Sequence, residues 1–321
     1  MKRDNVPDAA IVPTEQAGQH ETWLLGQAPL RKYLDFIDDM GEAGLAAQRT
    51  ELVREWSAAA LYYEELARRE PGIADHPDVP PLDPALAPLI QQVMQSSAYT
   101  RTFDTLPVTI QMVDLAHLVV CQNHVTHSFV ERIKARLGVA PDTDPEPAAL
   151  LRFCLPQEDG PAPVELRAAG SKRYVFRSES TDFRFHEPVM LQQAQLENYS
   201  AFGPVAGALA LVVGFSCNFM NAVCDDDSGR LLLHNGYHRA CALLELGVRY
   251  APCVVQTVTS RDELDVVAKA AVAADPGYFN APRPPLLKDF LDPRIRKVLP
   301  VKRMARVIEL SYEVRDYFVE L

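Results

Sequence analysis

The sequence predicts an α/β fold of the α+β kind: a small mixed sheet with helices packed on it, preceded by a helical extension. Three stretches lead there. Asp227–Thr257 reads as a strand (Arg230–His234), an Asn235-Gly236 turn, a helix (Tyr237–Leu246) and a second strand (Ala251–Thr257). In its helix Ala240, Leu243, Leu244 and Leu246 recur at helical spacing, and Gly247 follows as a stop. Val108–Val113 alternates as a half-buried strand does, whereas Gly207–Phe215 (GALALVVGF) is apolar throughout, as in a strand covered on both faces. Ala46–Arg69 carries Leu52, Trp56, Ala59, Ala60, Tyr63 and Leu66 on one stripe, the pattern of an amphipathic helix.

In chain order, residues 1–20 are polar and aperiodic and read as a flexible tail. Residues 21–105 read as a helical region. Leu30–Met40 shows an apolar face of Leu30, Tyr33, Leu34, Phe36 and Ile37, and the long Ala46–Arg69 helix ends before a proline cluster. A short helix, Leu86–Met94, follows. The helical stripe points to packing on the main domain, with a protein partner or homo-oligomer as the alternative use of that surface. Residues 106–321 read as the α/β domain, with an insertion at about 138–206.

Inside that domain a helix is expected over Ser128–Leu137. A Pro- and Ala-rich excursion covers 138–170, and a strand covers Lys172–Arg177. Pro188–Asn198 reads as an exposed helix. Phe219–Val223 reads as a strand that turns through Asp225–Gly229 into the next. The three aspartates of that turn lack a downstream glutamate at calcium-loop spacing, so a solvated turn is expected. Ser260-Arg-Asp-Glu263 is a capping box that opens a helix through Ala274. Arg283–Leu291 reads as a short packed helix, and Arg303–Phe318 as a late strand at a sheet edge.

Composition narrows the function classes. With 43 acidic against 32 basic residues the formal charge is −11, which argues against a general nucleic-acid surface, since phosphate neutralisation needs a basic face. Six scattered cysteines without a C-x-x-C pair read as reduced thiols in a cytoplasmic protein. No apolar run approaches the roughly 18 residues of a membrane span, and the N-terminus has no signal-peptide core.

The chemistry concentrates at Asn235–Arg239. Asn and Gly tolerate positive φ, so the turn can be sharp, and the unpaired N–H groups of the new helix emerge beside His238 and Arg239. A helix start with partial positive charge, an imidazole and a guanidinium is suited to an anion. Arg239 would fork onto phosphate oxygens. His238 would bond a phosphate or carry a proton. Ser178–His186 gathers Ser180, Asp182 and Arg184 in one turn, which suits phosphate or metal oxygens, or else a plain cap with an Asp182–Arg184 pair. Gly214–Asn218 ends a strand in polar side chains, where ligand sites of α/β sheets tend to lie, and makes Asn218 and Asn221 candidates.

Asn-Gly-Tyr-His-Arg in its strand–turn–helix–strand setting resembles the second sequence box of the ParB/sulfiredoxin-like superfamily, in the G-x-H-R form. The resemblance covers about Leu106–Leu137 and Gly207–Thr257. It implies a nucleotide (ATP, ADP or CTP) with Mg²⁺, held by Asn235, Gly236, Tyr237, His238 and Arg239. It also implies a first-box loop, here Gln122, Asn123 and His124, facing that nucleotide. Tyr237 stands where sulfiredoxins place their catalytic cysteine, so sulfiredoxin chemistry is not expected. Serine kinases of the superfamily use a glutamate near the first loop, and here Glu131 already lies within the helix. Two readings follow. One is a phosphotransferase or nucleotide hydrolase in which His238, Asp182, Gln122 or Glu131 supplies the base or a metal ligand. The other is a nucleotide- or metabolite-binding regulatory protein without turnover. ParB-like DNA binding is disfavoured by charge and by the lack of a DNA-binding module.

Overall fold

The computed structural model describes residues 18–138, 140, 143–156, 164–180, 182–192, 195–196, 207–260, 262–264 and 277–320. Its first half contains β1 (Gln19–Leu24), α1 (Leu30–Met40), α2 (Arg49–Arg69), α3 (Ala87–Gln95), α4 (Ser97–Thr102), β2 (Val108–Asp114), β3 (Val119–Val120), β4 (His124–Thr126), α5 (His127–Leu137) and α6 (Pro147–Cys154). There follow β5 (Glu165–Ala168), β6 (Arg173–Ser178), β7 (Phe183–Leu191), β8 (Ala208–Phe215), β9 (Asn221–Asp225), β10 (Leu231–Asn235), α7 (Tyr237–Glu245), β11 (Tyr250–Val258), β12 (Arg296–Val301) and β13 (Arg306–Ser311).

The chain folds as α+β around a five-stranded mixed sheet of order β2-β11-β9-β10-β3. β11 runs parallel to β9 and β10 parallel to β3, while the other two pairings are antiparallel. The hairpin β9–β10 closes through the aspartate turn. The Asp225 carboxylate accepts from the Ser228 amide at 3.0 Å, and Gly229 takes φ +64°. That is the solvated turn expected from sequence. One core packs against this sheet, joining Phe219 and Met220, the α7 residues Ala240 and Leu243, Leu151 and Cys154 of α6, and Tyr99 and Phe103 of the α4 segment.

A second, antiparallel sheet of order β12-β1-β4 carries α1 and α2. Trp23, Tyr33, Leu34, Ile37, Leu52, Ala59, Tyr63, Leu66 and Leu299 form a second core there. The α2 stripe read from sequence is therefore used for packing within the chain.

Several expectations need correction. Residues 19–20 belong to a strand, and residues 21–24 complete it, so the N-terminal region is not wholly helical. Residues 1–17 lie outside the described part. The expected excursion at 138–170 contains α6, whose start is fixed by Pro147 and by the Glu146 carboxylate accepting from the amides of Ala148 (3.0 Å) and Ala149 (2.7 Å). That is a strong cap that the proline- and alanine-rich composition concealed. Pro188 begins no helix. It sits in β7, at an irregularity in the pairing with β8 where a proline costs the ladder little. The apolar run Gly207–Phe215 is a strand, yet it pairs with β7 alone in a two-stranded sheet, and Leu209 is 60% exposed. Continuous apolarity implied two covered faces, whereas tertiary placement buries no residue of the strand fully and leaves Leu209, Leu211 and Val212 exposed. Most of the helix expected over 260–274 lies outside the described residues. The short helix at Arg283–Leu291 is a 3₁₀ turn over Leu287–Leu291. The late strand is confined to β13, at the edge of the sheet β13-β6-β5, and β12 precedes it.

The two cores are tied by a buried ionic cluster. Asp289, 2% exposed, accepts from Arg283 (2.6 and 3.0 Å), from the Tyr63 hydroxyl (2.6 Å) and from the Leu286 amide (2.8 Å). Arg283 also meets Glu70 at 2.9 Å. Removing one member of such a cluster leaves the others buried and unpaired, which costs about 3–5 kcal/mol. Asp289→Ala is therefore expected to lower the unfolding free energy by about that amount. The check is the midpoint of urea unfolding followed by tryptophan fluorescence, since Trp23 lies in the second core.

Candidate functional site

The turn at Asn235–Arg239 forms as read, but the chain's own groups fill it. Gly236 adopts φ +94°, and a Cβ there would lie 2.8 Å from Met220 Cγ, so the glycine permits side-chain packing rather than the approach of a ligand. Asn235 Nδ2 donates to the carbonyls of Cys217 (3.0 Å) and Phe219 (3.1 Å). The Tyr237 hydroxyl donates to the Leu233 carbonyl (2.6 Å) and accepts from the Cys121 amide (3.2 Å). The Cys121 thiol, 3.1 Å away, must then be the donor in that contact.

Arg239 departs furthest from expectation. It is 8% exposed and donates to the carbonyls of Phe153 (3.2 Å) and Cys154 (3.1 Å), to the Asn218 carbonyl and to Asn218 Oδ1 (2.8 Å). Its fork is occupied by the C-terminal carbonyls of α6 and by the approach to β9. Asn218 is thus a partner of Arg239 rather than a ligand group.

His238 is half-buried. Its Nε2 accepts from the Thr126 amide at 3.1 Å, which places the proton of the neutral ring on Nδ1, and its ring meets Phe129 edge-on. Burial is the main influence on it and pulls its pKa down to about 4, against the opposing pull of Glu21 and Asp182. In its neutral form this histidine is an acceptor for backbone.

An open site lies beside this turn, where β1, β4 and α1 meet. In the β1–β4 pairing Glu21 stands opposite Thr126 and Trp23 opposite His124, so the alternation of both strands puts these four side chains on one face. Glu21 Oε2 lies 2.8 Å from His124 Nδ1, and Glu21 Oε1 accepts from the Thr126 hydroxyl at 2.7 Å. The His124 ring is stacked on Trp23 (centroids 5.0 Å apart, planes at 14°) and touches Phe36 at 4.8 Å.

Two cavities adjoin here. One of about 200 Å³ is lined by Trp23, Lys32, Phe36 and Cys121–His124. The other, of about 270 Å³, is lined by Gln27–Pro29, Lys32, Asn123 and the 277–285 segment. Lys32 and Asn123 belong to both, joined by a 2.8 Å bond from Nζ to Oδ1. Among the described residues Lys32 has no carboxylate partner, whereas Arg283 at the far wall is bound to Asp289 and Glu70.

Of the other expected site residues, Gln122 lines the smaller cavity and donates to the His124 carbonyl at 2.6 Å. Asp182 meets Arg184 (3.1 Å) and the Ser216 hydroxyl (3.1 Å), and Ser180 Oγ accepts from the Asp182 amide (3.3 Å), so that turn is held by internal bonds. Glu131 stands half-exposed on α5, paired with Lys134 at 2.5 Å. Asn221 is buried and donates to the Phe219 carbonyl at 3.1 Å. Among the described residues no cluster of three metal-ligating side chains occurs. The buried thiols Cys154, Cys241 and Cys253 all have raised pKa values from burial, Cys154 to about 12, and act as small hydrophobes.

Glu21, Trp23, Lys32 and Phe36 were not singled out as site residues. The available signal was the alternation in Gln19-His-Glu-Thr-Trp-Leu24, which marks a strand.

No protein-family model, curated protein or solved structure matches the chain.

Two outcomes follow from the turn. Arg239→Met removes the hydrogen bonds that the guanidinium donates to the Phe153, Cys154 and Asn218 carbonyls, at about 1–3 kcal/mol for a buried acceptor so deprived. It should lower the urea midpoint strongly, and Arg239→Lys, which lacks the planar fork, should not restore it. For His238 the folded pKa near 4 lies below the ordinary value of 6.5. Between those values the unfolded chain binds the extra proton. The stability held by the neutral ring is full above about pH 6.5 and is lost as the pH falls toward 4. The thermal midpoint of wild type should therefore drop more steeply across that window than that of His238→Gln, which keeps an acceptor.

Proposed function

We propose that the chain binds a small anionic metabolite, with a nucleotide as the leading class, in the cleft between α1, the 121–124 loop and the 277–285 segment. One observation carries this reading. Lys32, a cation without a carboxylate partner among the described residues, stands where two cavities of about 270 and 200 Å³ adjoin. Each lies below the roughly 300 Å³ where ordinary ligand sites begin, and Lys32 and Asn123 line both. Asn123 and Gln122 add amides that fix orientation, and Trp23, Phe36 and His124 add aromatic surface.

The resemblance to ParB/sulfiredoxin-like proteins supports a nucleotide (ATP, ADP or CTP, with Mg²⁺). The loop it implicates, Gln122–His124, does line the cleft. The proposed site is shifted from the α7 turn to that loop, because Arg239, Asn235 and Gly236 are engaged internally. Binding in a cytoplasmic, regulatory setting is the reading favoured for the chain. Among the described residues no helix is long and apolar enough to cross a membrane. Oligomerisation through the N-terminal helices is not part of the reading, because their apolar stripe is occupied by the second core.

A thermal-shift series with ATP, ADP, CTP and GTP, each with Mg²⁺, tests this. A ligand at a hundred times its Kd adds about 2.7 kcal/mol of stability, a shift of several degrees. At least one nucleotide should raise the midpoint of wild type, and Lys32→Ala should remove the rise while leaving the unliganded midpoint close to wild type. No shift with any nucleotide, or an undiminished shift in Lys32→Ala, would overturn the proposal.

A further inference from the structure

We infer that His124, positioned by Glu21, is a general base within this cleft, serving a substrate that carries a hydroxyl group beside its anionic part. The inference rests on the proposed cleft for the location of that substrate and goes beyond binding to chemistry.

Three features of the molecule converge on it. The first is the hydrogen-bonded pair itself. With Glu21 ionised, a 2.8 Å contact to His124 Nδ1 requires a proton on that nitrogen, so in the neutral ring Nε2 keeps its lone pair. Glu21 is 6% exposed, and its second oxygen is occupied by the Thr126 hydroxyl, so the carboxylate is fixed at both ends. The second is the ring's setting. Trp23 stacks on it and Phe36 abuts it, while the side chain stays 37% exposed on the wall of the 200 Å³ cavity. Such a ring is oriented without being sealed away from a ligand. The third is the free nitrogen: among the described residues no partner meets His124 Nε2. The neighbouring Trp23 Nε1 is likewise a buried donor without a partner, in a residue that lines the same cavity.

His238 offers the opposite arrangement, with Nε2 taken by the Thr126 amide. The chain thus separates two imidazoles that share the Glu21 neighbourhood. One is an acceptor for backbone, and the other keeps a lone pair for a ligand.

The chemistry is a proton transfer. The hydroxyl proton passes to Nε2, the O–H electron pair remains on the substrate oxygen, and the imidazolium formed is balanced by Glu21. Lys32, across the same cavity, would hold the anionic part of the substrate and so fix the hydroxyl against the ring. Glu21 is a positioning residue in this scheme. The titratable and charged groups around His124 are Glu21 from β1, Lys32 from α1, His238 from α7 and Cys121 from its own loop.

Carbethoxylation by diethyl pyrocarbonate, which acylates the unprotonated imidazole, tests the inference on the full-length protein without a known substrate. Modification of each histidine is followed by peptide mass spectrometry across pH 5 to 8. His124 should react severalfold faster than His238. In Glu21→Gln the plateau rate of His124 should fall severalfold, because the ring loses the carboxylate that fixes its tautomer and orientation. Equal rates at His124 and His238, or an unchanged plateau rate for His124 in Glu21→Gln, would overturn the inference. Circular dichroism and the thermal midpoint of Glu21→Gln separate loss of positioning from loss of fold, and Thr126→Val, which removes the other hydroxyl bond to Glu21, gives a second variant in which the plateau should also fall. Protection of His124 by ATP–Mg²⁺ reports on the ligand site separately. A fast, Glu21-dependent His124 without protection supports the base while counting against the nucleotide reading.

Discussion

A guanidinium buried in a protein interior must find acceptors for its donors, and the placement of Arg239 shows how much of this fold depends on that requirement. Its side chain gathers the last carbonyls of α6, the Asn218 backbone and the Asn218 side chain. Those carbonyls lie at a helix end and at a strand entry, where the regular bonding of helix and ladder stops. The cation therefore satisfies α6 and orders the approach to β9, while its own helix packs on the sheet. Gly236 completes the arrangement, because its positive φ lets Met220 occupy the space a side chain would take. The same residue types would serve an anion equally well. Here the neutral dipoles of the chain took the place of a ligand's charge.

The second constraint is the seam between the two cores. The mixed sheet and its helices bury one apolar cluster, and β12-β1-β4 with α1 and α2 buries another. The Asp289–Arg283–Tyr63–Glu70 cluster joins them, with every charge paired, as burial demands. Where two packed units meet, side chains cannot fill all the space, and the cavities flanking Lys32 and Asn123 lie along that seam. Ligand sites tend to lie at such junctions for this reason. The acidic excess of the whole chain does not govern this place, since among the described residues Lys32 meets no carboxylate and Glu21 is already bonded to His124 and Thr126.

The outlying strands follow different rules. β5, β6 and β13 form a small sheet on which Arg173 meets Glu309 at 2.5 Å and Arg177 meets Glu165 at 3.4 Å. Such solvent-exposed pairs contribute little to stability. β7 and β8 stand as a two-stranded ribbon with Met190 66% and Leu209 60% exposed. A ribbon of two strands has too little buried face to be stable by itself, so its anchor is the Phe183–Phe215 contact at its base, with Phe183 buried.

Local pattern determined a good part of this protein. The strand–turn–helix–strand at 230–258, the α2 stripe and the aspartate hairpin all follow from periodicity or turn chemistry. Those features arise within a few residues, and the sequence displays a few residues at a time. Tertiary structure alone decided the destinations of polar side chains. The contacts that make the cleft join Lys32 to Asn123, Glu21 to His124 and Thr126 to His238, each pair about a hundred positions apart. Periodicity tells which face of a helix or strand is apolar. It does not tell whether a guanidinium at the edge of that face will meet a ligand or a carbonyl, because that depends on which distant segment happens to leave its hydrogen-bonding groups unpaired.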